Sequence, residues 1–485
     1  MNEATPSTMA RDVLGWARRA PRAVAVIEGS AQYSYGELAE HTAKLALALR
    51  AAGVAEGNLV LVENNNRYVH LVSVLALEVL GAIVCSCWLS DLTEDNNAVR
   101  HANLLITENL AAEALPGRAR LRLDQGFLDA AMSATLPPGW EAMLEAPSPL
   151  GAGVRLTRTS GTTGAPKYML LKRSLMDNSI RHAPAFLNMR NDVFNAITLH
   201  NFNFLGTYVY GWLALRFGGC VCFSSLETAL ADVNRFRFSY LNLLVGDASR
   251  IIAAAEALPG HCNPCSVAVI GGAMPPAMQQ GLLRRVATEL RNAYQANEAL
   301  AVARLDRNGI GEVLADMEVR ISGDDGQLLA EGEAGVIELR SPRVIDRYEW
   351  DEALTAEHFL PGGWFRTSDV GKLVGPRQLV VLGRRDEMLN AGGVKVPPLP
   401  IEERIRALPG VTDAVLLVFD DQHGAGELHV VVERADPAHD AVIHEALPGT
   451  LRGFYYGGFR VHYVASLPRT ETGKVQRHLV RSHLR

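Results

Sequence analysis

Cysteine is scarce in this chain. Six residues in 485 are too few and too scattered for a disulfide framework. Cys85/Cys87 and Cys220/Cys222 alternate within apolar runs, so each pair faces one side of an expected strand. Cys262-Asn263-Pro264-Cys265 is the single CxxC. No second cysteine or histidine pair stands nearby at metal spacing, and it is read as no zinc site. Positive charge is not in excess either. Lys+Arg number 47 against 53 Asp+Glu, a net −6, which leaves no basic footprint for nucleic acid. A phosphate-bearing ligand would have to be held by local groups. Met1–Arg11 lacks the apolar core of a signal peptide. The one long apolar stretch, Val69–Leu89, is interrupted by His70, Glu78 and Gly81. A charge at mid-span is costly in lipid, so a buried helix turning into a strand fits this stretch better than a membrane span. The expectation is a soluble, cytoplasmic protein with no membrane insertion and no nucleic-acid partner. No internal repeat or low-complexity segment is visible.

What is present is a long chain, 48% hydrophobic, able to build several cores. Val24–Ile27 and Tyr33–Tyr35 flank a turn and read as a hairpin. Leu38, Thr42, Leu45 and Leu49 recur at helical spacing and stop at Gly53. Leu59–Val62 is a short buried strand. Alternation of this kind implies a mostly parallel sheet covered on both faces, and it returns over Leu213–Phe223, Tyr240–Val245 and Val267–Ile270. Beyond Gly311, short alternating strands with turns at 323–326 and 332–335 suggest a β subdomain. A compact α/β segment follows Arg384, with Val415–Phe419 and Leu428–Val432 as paired strands. The fold class expected is α/β, with residues 1–385 as a large N-terminal core and 386–485 as a small C-terminal domain.

The most informative segment is Thr159-Ser160-Gly161-Thr162-Thr163-Gly164-Ala165-Pro166-Lys167. It offers backbone N–H groups, hydroxyls and one lysine to a small volume, which is what a polyphosphate requires. It is not a Walker A loop, since no Gly-Lys-Ser/Thr follows Gly161 at the required distance. Later come Gly363-Trp364-Phe365-Arg366-Thr367-Ser368-Asp369, Gly383-Arg384-Arg385-Asp386-Glu387 and Pro468-Arg469-Thr470-Glu471-Thr472-Gly473-Lys474.

These four motifs, in this order and over nearly the whole chain, resemble the adenylate-forming superfamily: acyl-CoA synthetases, firefly luciferase and the adenylation domains of nonribosomal peptide synthetases. The resemblance implies a mixed α/β core, a mobile C-terminal domain and a two-step reaction with ATP and Mg2+. A carboxylate attacks the α-phosphorus of ATP, and a thiol of coenzyme A or a carrier-protein phosphopantetheine then displaces AMP. Two anions meet in the first step, so positive charge and metal are needed there. By the resemblance, Thr159, Ser160, Gly161, Thr162, Thr163, Gly164 and Lys167 form the ATP loop, with Thr163 catalytic. Tyr294-Gln295-Ala296-Asn297-Glu298 takes the place of a Tyr-Gly-x-Thr-Glu motif. Tyr294 would stack on adenine, Asn297 would bond a phosphate or carboxylate oxygen, and Glu298 would hold magnesium. A solvated polar cluster at a helix end is the competing reading of that segment. Asp369 would accept the ribose hydroxyls and Arg384 would reach ribose or phosphate. Asp386 would be the hinge, and Lys474 the mobile-domain lysine bridging carboxylate and α-phosphate. Gly392 and Gly393 would line a thiol channel. Tyr168, Gln295, Asn297 and Ser368 depart from the family pattern.

For the acyl pocket the same resemblance offers Asn203, Gly206, Gly271, Gly272 and Ala273, with Tyr210 beside them and His200 as the alternative to Asn203. No aspartate lies here to hold an α-ammonium, which argues against an α-amino-acid substrate. Small glycines and polar amides suggest room for a compact carboxylic acid, aromatic acids included. For Phe202, Phe204 and Trp212, core packing is the preferred reading over substrate contact. The expectation is an ATP-dependent acid–thiol ligase acting with coenzyme A or an acyl carrier protein. The alternatives are transfer to an amine or other nitrogen nucleophile, or a nucleotide-binding homologue that has lost catalysis.

Overall fold

The computed structural model describes residues 8–108, 119–146, 148–159, 167–187, 189, 193–257, 262–270, 274, 276–306, 309–385, 388–391, 394–420, 426–452, 455, 458–470 and 475–484. The chain divides into two compact units. The first comprises Met1–Asn242, Ala296–Leu300 and Ser341–Gly363; the second comprises Leu243–Gln295, Ala301–Arg340 and Trp364–Arg485.

The first unit contains two sheets. One orders its strands as Tyr348–Glu349, Lys167–Lys172, Gly153–Thr159, Ile83–Ser86, Leu59–Glu63, Leu104–Thr107 and Ala119–Arg122. Its inner pairs are parallel, as the alternating helix–strand pattern predicts. In the other, Ser239–Leu244, Ala196–Thr198, Val221–Phe223 and Val24–Glu28 run parallel, and Ala31–Ser34 closes the edge as an antiparallel hairpin. That hairpin ends one residue earlier than the sequence pattern suggests. Ser34, the last strand residue, caps the helix Tyr35–Ala51, accepting from the Glu37 N–H while Glu37 accepts from the Ser34 N–H at 2.8 Å.

The apolar stretch from Val69 resolves into the helix Arg67–Val79 and the strand Ile83–Ser86, with Gly81 at φ +70 between them. Its charged residue is neutralised in place. Glu78 accepts from Arg173 Nη2 at 2.6 Å and from the Ala10 N–H at 3.1 Å, and both side chains of the ion pair are buried. Among the described residues, no helix is long and apolar enough to cross a membrane.

The second unit carries an antiparallel sheet in the order Ala293–Ala296, Leu300–Leu305, Ile310–Val313, Gln378–Arg384, Trp364–Gly375, Gly335–Arg340 and Glu318–Ser322, the β subdomain foreseen. It also carries the parallel pair Cys265–Ile270 and Glu289–Arg291. Its C-terminal part has its own core. Val411–Asp420 and Gly426–Arg434 pair antiparallel, Phe459–Val464 joins in parallel, and Ile401, Ile405, Leu416, Val430, Ile443 and Leu447 are buried together.

Breaking a buried ion pair leaves its partner charged in a dry site. Glu78→Ala should therefore cost about 3–5 kcal/mol in urea unfolding, and a Glu78→Leu/Arg173→Met double variant should recover most of it.

Candidate active site

In the first unit, the hairpin formed by Gly153–Thr159 and Lys167–Lys172 is in register from Thr159↔Lys167 downwards. The strand ends therefore hold the two flanks of the phosphate-loop sequence side by side. Ser160, Gly161, Thr162, Thr163 and Gly164 lie outside the described residues. Tyr348–Glu349 pairs on the open edge of Lys167–Lys172, with Tyr348 opposite Met169 and Glu349 opposite Tyr168. This places the Lys167 ammonium 5.4 Å from the centroid of the Tyr348 ring. The Tyr348 hydroxyl donates to Glu298 Oε1 at 2.8 Å. The Ile345 N–H donates to the Glu298 carbonyl at 2.9 Å, and Arg343 Nη1 donates to the Ala299 carbonyl at 3.0 Å, which holds the turn from both sides. Lys167, Tyr348 and Glu298 thus form one constellation from three stretches far apart in sequence. Sequence reasoning missed Tyr348, since one tyrosine in a polar run carries no periodic signal.

The departure at Tyr168 has a structural role. Its ring is buried in the cluster containing Leu61, Cys85, Cys87 and Leu156. Its hydroxyl donates to Asn96 Oδ1 at 2.7 Å and its edge meets Trp350, which stacks on His101. The lysine's neighbour therefore anchors the base of the hairpin.

In the second unit, Asp369 and Arg384 face each other across antiparallel strands, with 3.9 Å between Arg384 Nη1 and Asp369 Oδ1. The Tyr294 hydroxyl donates to Asp369 Oδ2 at 2.6 Å, and the Asp369 N–H donates to Thr367 Oγ1 at 3.0 Å. Tyr294, Asp369 and Arg384, expected from the resemblance to serve one nucleotide, are thus joined directly. Tyr294 lies on the strand Ala293–Ala296, so the helix-end reading of this segment is replaced by a strand running into a turn at Asn297–Glu298. Asn297 is exposed in that turn.

The acyl-pocket candidates described are Asn203 and Gly206; Gly271, Gly272 and Ala273 lie outside the described residues, as do Asp386, Gly392, Gly393 and Lys474. The loop from Thr198 to the helix Leu205–Arg216 carries His200, Asn203 and Phe204. Phe202 and Trp212 are fully buried, as expected of core residues. Phe204 is not. It is half-buried, 4.6 Å from the His200 ring and edge-on to Trp88 at 5.8 Å, and Trp88 is itself 36% exposed. These three rings form a partly open aromatic wall beside Asn203, whose Nδ2 donates to the Cys87 carbonyl at 3.1 Å.

Beneath the loop runs a buried polar chain. Asn201 Nδ2 donates to the Asn64 carbonyl at 2.8 Å. His70 Nδ1 reaches the same carbonyl at 3.2 Å, so this nitrogen bears the proton. His70 Nε2 then accepts from the Ser86 hydroxyl at 2.8 Å. Burial first, with the Arg155 guanidinium adding to it and the hydrogen bond to Asn64 opposing it, pushes the imidazole down to about 4.

A family model described as AMP-binding enzyme matches residues 14–349. Indoleacetate–CoA ligase of Aromatoleum aromaticum is 26% identical over 479 residues, covering 92% of each chain. Feruloyl-CoA synthase of an Amycolatopsis species is 26% identical over 487 residues, covering 96% of each. Among solved structures, ATP-bound MatB from Rhodopseudomonas palustris superposes with a TM-score of 0.82 at 21% identity, over 97% of this chain and 98% of that one. Amide bond synthetase McbA from Marinactinospora thermotolerans gives 0.81 at 21% identity, over 98% and 99%. At these identities the structural likeness speaks for the fold.

A histidine held neutral in the fold stabilises it where the unfolded chain also keeps that histidine neutral. The unfolded imidazole titrates near 6.5, and the folded one near 4. The contribution is therefore complete above pH 6.5 and is lost as pH falls from there towards 4. Between pH 7 and pH 5 the unfolding free energy should drop by about 2 kcal/mol from this group, and His70→Gln should remove that part of the slope in urea titrations.

Proposed function

The chain belongs to the family of AMP-binding enzymes, and we propose that it is an AMP-forming ligase joining a compact, preferably aromatic carboxylic acid to coenzyme A. The observation that carries this reading is the constellation of Lys167, Tyr348 and Glu298 at the base of the phosphate-loop hairpin. A cation and a tyrosine-oriented carboxylate beside a loop of hydroxyls and glycines suit a magnesium nucleotide.

Magnesium keeps most of its shell as water and phosphate oxygen and takes one or two protein carboxylates. Glu298 fits that requirement: Oε1 accepts the Tyr348 hydroxyl and the group is oriented by it. When bound, the ion would supply charge neutralisation on the phosphates. Lys167 would contribute a point charge to the same phosphates. Asp369, already an acceptor for Tyr294, would take the ribose hydroxyls, and Tyr294 would pack against the adenine. Asn297 and Arg384 would complete the polar frame. The domain 386–485, hinged at Asp386, would bring Lys474 to the reacting centre and, after rotation, Gly392 and Gly393 to the thiol. The wall of Trp88, His200 and Phe204 supports an aryl acid, in keeping with the indoleacetate and ferulate named for its relatives.

A second reading, transfer to an amine, has one specific support: the fold is shared with an amide bond synthetase. Product analysis with coenzyme A against amines separates the two.

Pyrophosphate release with benzoate, cinnamate, indole-3-acetate, malonate and octanoate tests the proposal; release with an aryl acid is expected, and ATP left intact with every acid would overturn it. Lys474→Ala should slow adenylate formation sharply while sparing thioester formation from supplied adenylate. Tyr348→Phe, which removes one bond to Glu298, should lower kcat/KM for adenylation by about tenfold, read in the same assay.

A further inference from the structure

We infer that Arg155 is a positioning residue for the acid-binding loop, acting through the Phe202 carbonyl on His200, Asn203 and Phe204. The inference rests on the proposed role of that loop in binding the acid.

Arg155 sits mid-strand with 1% exposure. Its Nη2 donates to the Phe202 carbonyl, and its Nη1 donates to Ser86 Oγ at 3.3 Å. Its guanidinium lies 4.6 Å from the centroid of the Tyr208 ring. Among the described residues no carboxylate forms an ion pair with it, and its Nε has no hydrogen-bond partner. The contrast with Arg173 is informative. That arginine is equally buried, and Glu78 neutralises it at 2.6 Å. Burying a cation without a counter-charge is costly, and an apolar residue of similar volume would stabilise the fold more if packing were its only task. What Arg155 does that an apolar side chain cannot is hold a loop carbonyl from below.

The rest of the buried polar chain is built to accept this cation. Ser86 Oγ accepts from the Arg155 N–H and donates its own hydroxyl hydrogen bond to His70 Nε2, which requires neutral imidazole. His70 Nδ1 and Asn201 Nδ2 meet at the Asn64 carbonyl. The loop is thus fastened at two adjacent residues, Asn201 and Phe202, immediately before Asn203. Helical residue Tyr208 and loop residue Phe202 both touch Arg155, so the loop and the helix that follows share one anchor. Asn203, Phe204 and His200 take their places above it.

The test compares wild type, Arg155→Met and Arg155→Lys with the aryl acid that wild type turns over best. For Arg155→Met the acid KM should rise about tenfold while the ATP KM stays within about twofold; Arg155→Lys should recover part of the loss. Amide exchange of the segment 198–204 should quicken in Arg155→Met, with the strand Leu59–Glu63 unchanged. An unchanged acid KM, or acid and ATP KM rising together with general loss of protection, overturns the inference. Should Arg155→Met fail to fold, Ser86→Ala replaces it, with a rise in acid KM expected and no change overturning the inference. Failure of the ligase reading itself would appear in wild type, as no turnover with any acid, and the exchange measurement would still decide whether Arg155 holds the loop.

Discussion

The pairing of two residues, Tyr348 and Glu349, onto the edge of Lys167–Lys172 is the constraint on which the candidate site depends. Side chains alternate along a strand, so a slip of one residue would turn Tyr348 to the opposite face and separate Lys167 from Glu298. The buried Tyr168 ring, tied to Asn96 and Trp350, fixes the strand that receives this pairing. A residue that departs from the family pattern therefore supports the constellation by packing.

The first unit also shows three answers to buried charge within a small volume. Glu78 and Arg173 neutralise each other. His70 gives up its charge, because desolvation and a nearby guanidinium both disfavour the imidazolium. Arg155 keeps its charge and spreads it over a carbonyl, a hydroxyl and an aromatic face. The last two depend on each other, since a neutral His70 accepts the hydrogen bond of the Ser86 hydroxyl and leaves the Ser86 oxygen to accept from Arg155.

Much of this was legible in the sequence where periodicity or a fixed motif carries the information. The strand Leu59–Glu63, the helix-to-strand passage around Gly81 and the strands after Gly311 follow from side-chain spacing. Asp369 and Arg384 could be singled out as candidates because their motifs are local, and the strands place them opposite each other. Tyr348 was not, because its role arises from strand pairing between segments nearly two hundred residues apart. Arg155 was hidden for the opposite reason. In an alternating strand an arginine reads as a solvent-facing residue, and although covered sheet faces were expected, nothing local reveals that this side chain is buried under one of them. Phe204 was placed in the core with Phe202 and Trp212, since hydrophobicity alone does not separate a core ring from one left half-open beside a loop.

In the proposed nucleotide site, the bond from Tyr294 to Asp369 would give recognition a particular economy. The carboxylate oxygen that would meet a sugar hydroxyl already has a donor, so arrival of the sugar exchanges one hydrogen bond for another. The free energy gained at this point would be a difference between two similar terms and correspondingly small. A sugar lacking one hydroxyl would forfeit little here, because the phenol stands ready to satisfy the oxygen it leaves. On the proposed reading, selection for ribose over deoxyribose would then draw on the neighbouring guanidinium of Arg384, 3.9 Å from the same carboxylate, while the carboxylate would chiefly fix where the sugar sits.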